Sequence, residues 1–314
     1  MTVRISPWVR GTDSAALEEV ADLWNRNAQD RHAFYPWTGA LLGRVIGQGY
    51  LPDCGGRAFE ARDDDVLVGF IHITTMREFG YPPAGSVEAL IVDAQYRRRG
   101  IGSELTREAL GWLESLYPDI VHVDAMGAWP CGHMYTVLAD GSERSGVFSS
   151  ESALYRLFER FDFEPVRKSL IMRVPTTRAQ SRLLFGGQTL IERRNTCTWL
   201  DQVFRARELY DHNLYDRIGY LLSRAIFGYM PGESMREGKK IYSLFGVNTP
   251  EGRRNKGYAS ANLSLLLKHI GQIGGDLVEL HVYADNLPAL ALYRRLGFKK
   301  VADSMMMHRR GPGG

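Results

Sequence analysis

The sequence contains little cysteine and no long apolar run. Its three cysteines, Cys54, Cys131 and Cys197, are an odd number without the spacing of a metal site or a disulfide framework. This pattern argues against a disulfide-stabilised secreted domain and favours a reducing compartment. The opening residues lack the apolar core of a signal peptide, and no apolar run reaches the roughly 20 residues of a membrane helix. We therefore expect a cytoplasmic protein.

A strong excess of one charge is also absent. The 39 basic and 36 acidic residues give a net charge of +3, which is too small to indicate a nucleic-acid partner by itself. Two short basic clusters, at residues 97–99 and 253–254, come without an evident aromatic platform for single-stranded nucleic acid. We expect neither a nucleic-acid nor a membrane partner. The 314 residues, 44% of them hydrophobic, predict a globular chain of two domains.

The sequence does contain a basic, glycine-containing loop that occurs twice. Residues 97–102 read Arg-Arg-Arg-Gly-Ile-Gly and residues 254–259 read Arg-Asn-Lys-Gly-Tyr-Ala, each between an apolar segment and an amphipathic helix. The shared glycine permits backbone torsions that a side chain resists. The N-terminus of the following helix offers unpaired N–H groups and a positive dipole end. Together these features predict an anion site that suits phosphate.

A longer pattern lies near the C-terminus and has a weaker copy in the first half. Residues 286–298 read Asn-Leu-Pro-Ala-Leu-Ala-Leu-Tyr-Arg-Arg-Leu-Gly-Phe, and residues 158–163 read Phe-Glu-Arg-Phe-Asp-Phe at the corresponding place. When the copies are aligned on these segments, the first copy is longer between its loop and its helix. The sequence therefore predicts a tandem repeat with an insertion at residues 125–150.

Both patterns resemble the GNAT superfamily of N-acetyltransferases. The loops match its Arg/Gln-x-x-Gly-x-Gly/Ala pattern for the acyl-CoA pyrophosphate, and residues 286–298 match its Asn-x-x-Ala-x-x-Leu-Tyr-x-x-Leu-Gly-Phe pattern. The resemblance implies an α/β (α+β) fold of two tandem GNAT-like domains, each a mixed, mostly antiparallel central sheet flanked by helices. We predict an N-terminal domain at residues 1–175, a linker at residues 176–188 and a C-terminal domain at residues 189–314.

The resemblance also implies acetyl-CoA as the acyl donor, without a metal. In the first copy, the implied cofactor-binding residues are Leu90, Ile91, Val92, Arg97, Arg98, Arg99, Gly100, Ile101, Gly102 and Ser103. In the second copy, they are Val247, Asn248, Thr249, Arg254, Asn255, Lys256, Gly257, Tyr258, Ala259, Ser260 and Asn286. A backbone N–H near residues 247–249 is expected to polarise the thioester oxygen, as a strand bulge does in the family.

The two copies differ at the position of the family's catalytic acid. Tyr293 supplies a hydroxyl, whereas the first copy has Phe158, which has no proton to donate. The resemblance implies that Tyr293 protonates the departing CoA thiolate, so we expect catalysis in the C-terminal domain and a degenerate N-terminal domain. Tyr155 lies one helical turn before Phe158, so a shifted helix could present its hydroxyl at the position of the catalytic acid instead.

The general base is left open by the sequence. His281 and Glu279 are candidates, because alternation along a strand places them on one face. The segment around His281 echoes Val121-His122-Val123 in the first copy. Glu88 in the first copy has two interpretations: a base that acts directly or through water, or a strand residue that faces solvent.

Other segments give coarser expectations. Apolar periodicity predicts helices between Trp199 and Phe227, and residues 164–174 are expected to form a hairpin. A strand of the second domain is either missing or supplied by the other domain. Residues 311–314 are expected to be a frayed tail. An aromatic stretch lies over the substrate or is ordinary packing; its members are Phe34, Tyr35, Trp37 and Tyr50.

We therefore predict an N-acetyltransferase that moves an acetyl group from acetyl-CoA to a primary amine by direct attack. The acceptor is expected to be a small-molecule or peptide amine. The alternative is a non-catalytic acyl-CoA-binding sensor or scaffold, in which Tyr293 and both loops serve binding alone. Retention of Tyr293 beside its loss at Phe158 favours the enzyme.

Overall fold

The computed structural model describes residues 3–9, 13–28, 36–46, 56–76, 82–127, 146–178, 188–193 and 208–314. They form two compact units. Unit 1 contains the described residues up to 168 together with residues 304–314, and unit 2 contains the described residues from 169 to 303. Within these residues, no helix combines the length and the apolar character that crossing a membrane requires.

The described residues form seven helices, thirteen strands and three short 3-10 turns at residues 94–96, 176–178 and 251–253. The helices are α1 (Ser14–Asn27), α2 (Gly39–Ile46), α3 (Ile101–Leu116), α4 (Ser152–Glu159), α5 (Pro231–Glu237), α6 (Tyr258–Gln272) and α7 (Leu287–Arg295). The strands are β1 (Val3–Pro7), β2 (Gly56–Asp63), β3 (Val66–Met76), β4 (Ala84–Val92), β5 (His122–Ala125), β6 (Val147–Phe148), β7 (Glu164–Pro175), β8 (Gln188–Arg193), β9 (Leu209–Tyr215), β10 (Leu221–Tyr229), β11 (Ile241–Asn248), β12 (Leu277–Tyr283) and β13 (Lys299–Arg310).

The sheet of unit 1 has the strand order β1-β2-β3-β4-β5-β13, with β6 beside β13. Only β4 and β5 are parallel; the other pairs of this unit are antiparallel. One face packs against α3 through Leu105, Ala109 and Leu113, which are fully buried. Alternate strand residues such as Phe70 and Ile91 pack with α1 and α2 instead, so both faces of the sheet are covered.

The sheet of unit 2 has the strand order β7-β12-β11-β10-β9-β8, and only β11 and β12 are parallel. Its core contains Leu263, Leu266, Leu267 and Ile270 of α6. These residues recur at helical spacing, and burying each contributes roughly 1.5–3 kcal/mol relative to exposure. Both units thus have a mixed, mostly antiparallel sheet flanked by helices, and the predicted fold class is confirmed.

One strand of each sheet crosses from the unit in which it begins into the other unit. Strand β7 begins in unit 1 but belongs to unit 2 from Ser169 onward, where it pairs with β12. Strand β13 begins in unit 2 but belongs to unit 1 from Ser304 onward, where it pairs with β5 and β6. A strand of unit 2 is therefore supplied by residues 169–175, which fall within the predicted N-terminal domain. The predicted domain limits, residues 1–175 and 189–314, describe the repeat in the sequence and stay a prediction.

Three local expectations are wrong. Residues 209–215 and 221–229 are strands rather than helices, because they pair with each other and residues 224–229 also pair with β11. Residues 164–175 form one strand rather than a hairpin. The C-terminal tail is not frayed: Gly311 N donates to Val121 O at 2.9 Å and Gly313 N donates to Ile120 O at 2.8 Å. Pairing of β13 with β5 brings the tail beside these carbonyl groups.

Some predicted features lie outside the described residues. They include residues 128–145 of the insertion, residues 179–187 of the linker, all three cysteines, and Phe34, Tyr35 and Tyr50 of the aromatic stretch. Trp37 is described, is 2% exposed and stacks on Trp24 with ring centroids 3.9 Å apart. For Trp37, ordinary packing is therefore the interpretation that the structure supports.

Candidate active site

The two basic loops have the same backbone path. Arg97 and Arg254 are extended, with φ and ψ of −64° and 159° in the first copy and −65° and 160° in the second. The following residues, Arg98 and Asn255, have φ of 62° and 61°. Glycines at the fourth position then have φ of 86° and 81°, where a residue with a Cβ is strained by roughly 1–2 kcal/mol. The repeat seen in the sequence is thus also a repeat of torsion angles.

The first arginine of each loop closes the loop rather than reaching outward. Arg97 Nε donates to Val92 O at 3.0 Å, and Arg254 Nε donates to Thr249 O at 3.3 Å. Both bonds span the same number of residues. Lys256 Nζ similarly donates to Gly252 O at 3.2 Å. These cations therefore help to hold the loop shape that exposes the backbone N–H groups.

The helix N-termini behind the loops are open. Gly100 and Gly257 are the N-cap residues of α3 and α6, and neither helix has a side-chain cap. A Cβ built on either glycine would meet no atom within 4 Å. The first N–H groups of each helix consequently face open space at a positive dipole end, which fits a phosphate group.

The remaining predicted cofactor-binding residues, apart from Asn286, flank these loops in the chain. In unit 1, residues 90–92 end β4 and residues 101–103 form the first turn of α3. In unit 2, residues 247–248 end β11, Thr249 follows it, and residues 258–260 form the first turn of α6. Asn286 is the N-cap of α7, where its side-chain oxygen accepts from Ala289 N at 3.3 Å. Its observed contact therefore stabilises a helix start.

The central parallel strands of each unit separate beside the loop. Pairing of β4 with β5 runs from Ala84 to Val87, although β4 continues to Val92. Pairing of β11 with β12 runs from Ile241 to Leu244, although β11 continues to Asn248. Residues 246–248 of β11 thus lie beyond the last residue pair that this strand makes with β12.

A bulge lies where each pair of strands separates. The register of β3 and β4 skips Glu88, and the register of β10 and β11 skips Phe245. A bulge leaves its extra residue outside the ladder and often lies beside an active site. In unit 2 the bulge precedes the predicted thioester-polarising segment, residues 247–249. Glu88 is only 2% exposed and accepts a bond of 2.7 Å from Thr74 Oγ1, so the expectation that it faces solvent is wrong.

Tyr293 and Phe158 occupy equivalent turns. Phe298 N donates to Tyr293 O at 3.0 Å, and Phe163 N donates to Phe158 O at 3.2 Å. Each ring lies against the phenylalanine five residues later, with centroids 5.6 Å apart for Tyr293 and 4.9 Å apart for Phe158. The two residues therefore differ chiefly by the hydroxyl of Tyr293. Tyr293 as a whole residue is 8% exposed. Tyr155 packs against the core of unit 1.

Glu279 is fully buried and forms part of an ion-pair cluster around Arg173. Arg173 Nε lies 2.6 Å from Glu279 Oε2, and its Nη2 lies 2.9 Å from Glu233 Oε2. Arg173 also pairs with Glu237. Burial by itself would lower the pKa of Arg173, but these carboxylates raise it above its usual range. The carboxylate of Glu279 is thus engaged in an ion pair with Arg173.

His281 lies beside Glu279, as the alternation argument predicted. His281 Nε2 is 3.9 Å from Glu279 Oε1, and the imidazole is 4% exposed. Sequence reasoning missed Arg173 and its other two carboxylates. A usable signal was present, because Arg173 is a single cation within the apolar strand segment Leu-Ile-Met-Arg-Val-Pro.

The strand register corrects the proposed equivalence of His122 and His281. Ser86 pairs with Asp124 in unit 1, and Ser243 pairs with Glu279 in unit 2. Ser86 and Ser243 are as far apart in sequence as Arg97 and Arg254, so they occupy the same position of the repeat. Asp124 is therefore the structural counterpart of Glu279. The two histidine segments are similar in sequence, but His122 and His281 do not occupy equivalent positions in the paired strands.

Asp124 also faces basic side chains, the imidazoles of two histidines. His308 Nε2 lies 2.7 Å from Asp124 Oδ1, and His122 Nε2 lies 3.7 Å from Asp124 Oδ2. Burial would raise the pKa of Asp124, but the two imidazoles lower it below its usual range. The carboxylate in turn raises the pKa of His122, against the effect of burial. Asp124 is consequently ionised at neutral pH although it is 1% exposed.

Unit 2 also contains a cavity of about 500 Å³. It is lined by aromatic and charged side chains that include Tyr210, Phe227, Tyr242, Lys240 and His269. His269 lies in the last turn of α6, whereas the phosphate-type loop is at the other end of this helix. The cavity is therefore separate from the candidate acyl-CoA site.

Comparison with known proteins agrees with this geometry. The sequence matches the model of the acetyltransferase (GNAT) family twice, over residues 16–126 and 188–298. A mycothiol acetyltransferase of Saccharomonospora viridis is 24% identical over 94% of this chain and 95% of the relative. Another from Amycolatopsis mediterranei is 28% identical over 93% of this chain and 95% of the relative.

A solved structure shows the same fold. A tandem GNAT protein from the clavulanic acid biosynthesis pathway aligns with 100% of this chain and 99% of its own, at a TM-score of 0.74 and 15% identity. The tandem arrangement predicted from the repeated loop is confirmed by this likeness and by the two family matches.

Proposed function

The chain belongs to the acetyltransferase (GNAT) family, and from this premise we propose that it transfers an acetyl group from acetyl-CoA to a primary amine, with catalysis in unit 2. As an N-acetyltransferase it needs an anion site, a polarising donor and groups that move protons. The observation that carries the proposal is the equivalent placement of Tyr293 and Phe158, because only Tyr293 can donate a proton. Unit 1 keeps the loop but has no hydroxyl at that position.

The residues of both loops fit the phosphates of acetyl-CoA. When bound, acetyl-CoA supplies a thioester carbon that a neutral amine can attack. The N–H groups at the starts of α6 and α3 bind the phosphates, with Gly257 and Gly100 leaving room for them. The edge of β11 beyond its pairing with β12, at residues 246–248, orients the rest of the ligand. A backbone N–H of this segment polarises the thioester oxygen, which is typically worth about 3 kcal/mol.

The proton transfers are assigned to two side chains of unit 2. Tyr293 Oη holds the proton that the departing thiolate needs. His281 Nε2 is the preferred acceptor for the proton that the amine loses, directly or through water. Glu279 is the weaker candidate base because its carboxylate is buried and engaged in an ion pair with Arg173. Its place beside His281 instead suits a role in stabilising the imidazolium.

The acceptor is proposed to be a small-molecule or peptide amine. The relatives that match nearly the full length of this chain are mycothiol acetyltransferases. Their acceptor is consequently the first amine to include in a panel. Acceptor choice depends on side chains beyond the two family patterns, so identity of 24–28% supports a test rather than an assignment.

The proposal is tested by release of CoA thiol from acetyl-CoA in the presence of amines. We expect turnover by the wild type and a loss of on the order of a hundredfold in kcat for Tyr293→Phe. Tyr155→Phe is the matched control, because it removes a hydroxyl from the equivalent helix of unit 1. Loss of activity in Tyr155→Phe alone would move catalysis to unit 1. Tight acetyl-CoA binding without turnover on any amine would instead support the sensor alternative.

A further inference from the structure

Three potential metal ligands of unit 1 converge on one face of its sheet. His122 and Asp124 are two residues apart on β5, and His308 of β13 pairs directly with Asp124. Their neighbours Val123 and Ala125 point into the core, so by alternation the three ligands lie on the other face. One ligand atom from each residue can be chosen so that all three lie within 4.8 Å of one another.

The contacts within this cluster are close but are not aligned as hydrogen bonds. His308 Nε2 approaches Asp124 Oδ1 to 2.7 Å. Even so, both oxygens of Asp124 are buried without a hydrogen-bond partner of acceptable geometry among the residues that the structure describes. The rings of His122 and His308 stack at 4.7 Å with an interplanar angle of 17°. Nitrogen and oxygen atoms that lie close together without hydrogen-bond alignment are compatible with ligands around a metal ion.

Burial and charge suit a bound cation. Asp124 is 1% exposed at the base of the cluster, whereas the His122 and His308 side chains are 30% and 29% exposed at its rim. Imidazoles that coordinate a metal are neutral, so a bound ion would itself supply the positive charge that a buried carboxylate requires. The imidazoles at the rim give an ion a path from solvent. Ser86, which pairs with Asp124 across β4, adds a buried hydroxyl without a hydrogen-bond partner among the described residues.

The donor set indicates the class of ion. Two imidazoles and one carboxylate suit zinc and similar divalent transition metals, whereas magnesium and calcium prefer oxygen ligands. In a tetrahedral zinc site the ligand atoms are about 3.3 Å apart. The observed separations are 2.7 Å to Asp124 Oδ1 and 3.7 Å to Asp124 Oδ2, and the three ligand atoms lie within 4.8 Å of one another. Side-chain rotations would therefore have to bring the three atoms to the spacing of a zinc site.

We propose that His122, Asp124 and His308 bind a divalent transition-metal ion that ties β13 to β5. Two ligands come from the first half of the sequence and the third comes from the last strand, so the ion would fix the C-terminal segment in unit 1. This role is separate from acetyl transfer and departs from the expectation of a metal-free protein. The equivalent position of unit 2 has Arg173 beside Glu279, which excludes a cation there.

The test is calorimetric titration of the metal-free full chain with Zn²⁺, with Mg²⁺ as the hard-cation control. We expect one Zn²⁺ per chain, no Mg²⁺ binding, and affinity at least tenfold lower in each of Asp124→Asn and His308→Gln. His269→Gln is the matched control, because it removes a histidine from a helix of unit 2, and it should bind as the wild type does. Equal affinity in all variants would overturn the proposal.

Two further measurements distinguish this site from zinc binding elsewhere on the chain. Since metal binding to the folded state raises its stability, Zn²⁺ should raise the melting temperature of the wild type but not of Asp124→Asn. In the wild type itself, Zn²⁺ should shift the side-chain imidazole signals of His122 and His308 in NMR spectra, which avoids reliance on variants that fold poorly. Binding that vanishes when the cysteines are alkylated, with these signals unmoved, would place the ion on thiolates and contradict the proposal.

Discussion

The two units present the same arrangement of side chains with different cations. In each unit, a buried serine of β4 or β11 pairs with a buried carboxylate of the neighbouring parallel strand. This carboxylate pairs in turn with a basic residue of β13 or β7, the strand that crosses from the other unit. The residues are Ser86, Asp124 and His308 in unit 1, and Ser243, Glu279 and Arg173 in unit 2. Arginine keeps its charge at any physiological pH, whereas imidazole can lose its proton or bind a metal. The basic residue at this position therefore has a fixed charge in unit 2, whereas in unit 1 its charge can change.

The comparison extends to the groups that handle protons. Unit 2 has Tyr293 where unit 1 has Phe158, and unit 1 has Glu88 at the bulge where unit 2 has Phe245. Neither unit carries both groups. The loops, by contrast, have the same torsions within a few degrees. The two copies therefore share the loop conformation and differ in the residues at the Tyr293 and Glu88 positions.

The largest expected effect is on the ion-pair cluster of unit 2. Arg173→Met should lower the free energy of unfolding by roughly 3–5 kcal/mol, because it leaves buried carboxylates without a counter-charge. His308→Gln in metal-free protein should cost less, since its imidazole is partly exposed and His122 remains beside Asp124. Urea unfolding of both variants measures the difference. Equal losses would show that the two cations are equivalent after all.

The loops provide the next prediction. Gly257→Glu and Gly100→Glu should each abolish one acetyl-CoA site, by more than a hundredfold in Kd or about 3 kcal/mol, because a carboxylate would face the phosphates. Gly257→Ala is the control that adds the backbone strain without the charge. Calorimetric stoichiometry should fall from two sites to one in each variant. One site in the wild type, lost only in Gly257→Glu, would mean that unit 1 does not bind acetyl-CoA.

Buried histidines should make the units differ in their response to acid. Burial lowers the pKa of His72 in unit 1 from 6.5 to about 4. Below pH 6.5 the unfolded chain therefore takes up a proton that the folded chain refuses. Stability should fall as the pH drops from 6.5 to 4, by on the order of 3 kcal/mol, and then level off. Unfolding measured against pH should show a smaller slope in His72→Gln.

His212 of unit 2 gives the comparison for this pH effect. Burial also lowers its pKa, but a hydrogen bond with Asn262 opposes the shift. His212→Gln should therefore remove less of the acid-side slope than His72→Gln does. A larger effect from His212 would contradict the assignment of the slope to burial in unit 1.

The smallest expected effect is at the start of α7. Asn286→Ala should cost about 1 kcal/mol, because it removes the side-chain acceptor that caps this helix. The equivalent helix of unit 1, α4, has Glu151 as its N-cap residue without a side-chain cap bond, so Glu151→Ala should cost less. Thermal unfolding distinguishes the two. A larger loss of acetyl-CoA affinity than of stability in Asn286→Ala would assign the residue to the ligand instead.

Local features could be predicted from the sequence, and features that depend on strand pairing could not. The loop at residues 254–259 combines a glycine, small residues and a following apolar helix face, all within one short segment. The apolar spacing of residues 209–229 fits both a helix and a strand, and the strand partners that decide between them are distant. His122 and His281 share a local pattern, yet the register aligns Asp124 with Glu279.

The sequence by itself determined the family, the two phosphate-type loops and the difference between Tyr293 and Phe158, because each of these depends on neighbouring residues. The tertiary structure alone decided that β7 completes unit 2 and β13 completes unit 1. It thereby placed Arg173 beside Glu279 and His308 beside Asp124. Backbone hydrogen bonds between strands form in the same way whether the strands are near or far apart in sequence. Residues more than one hundred positions apart are therefore brought together by the strand register, which local sequence patterns do not reveal.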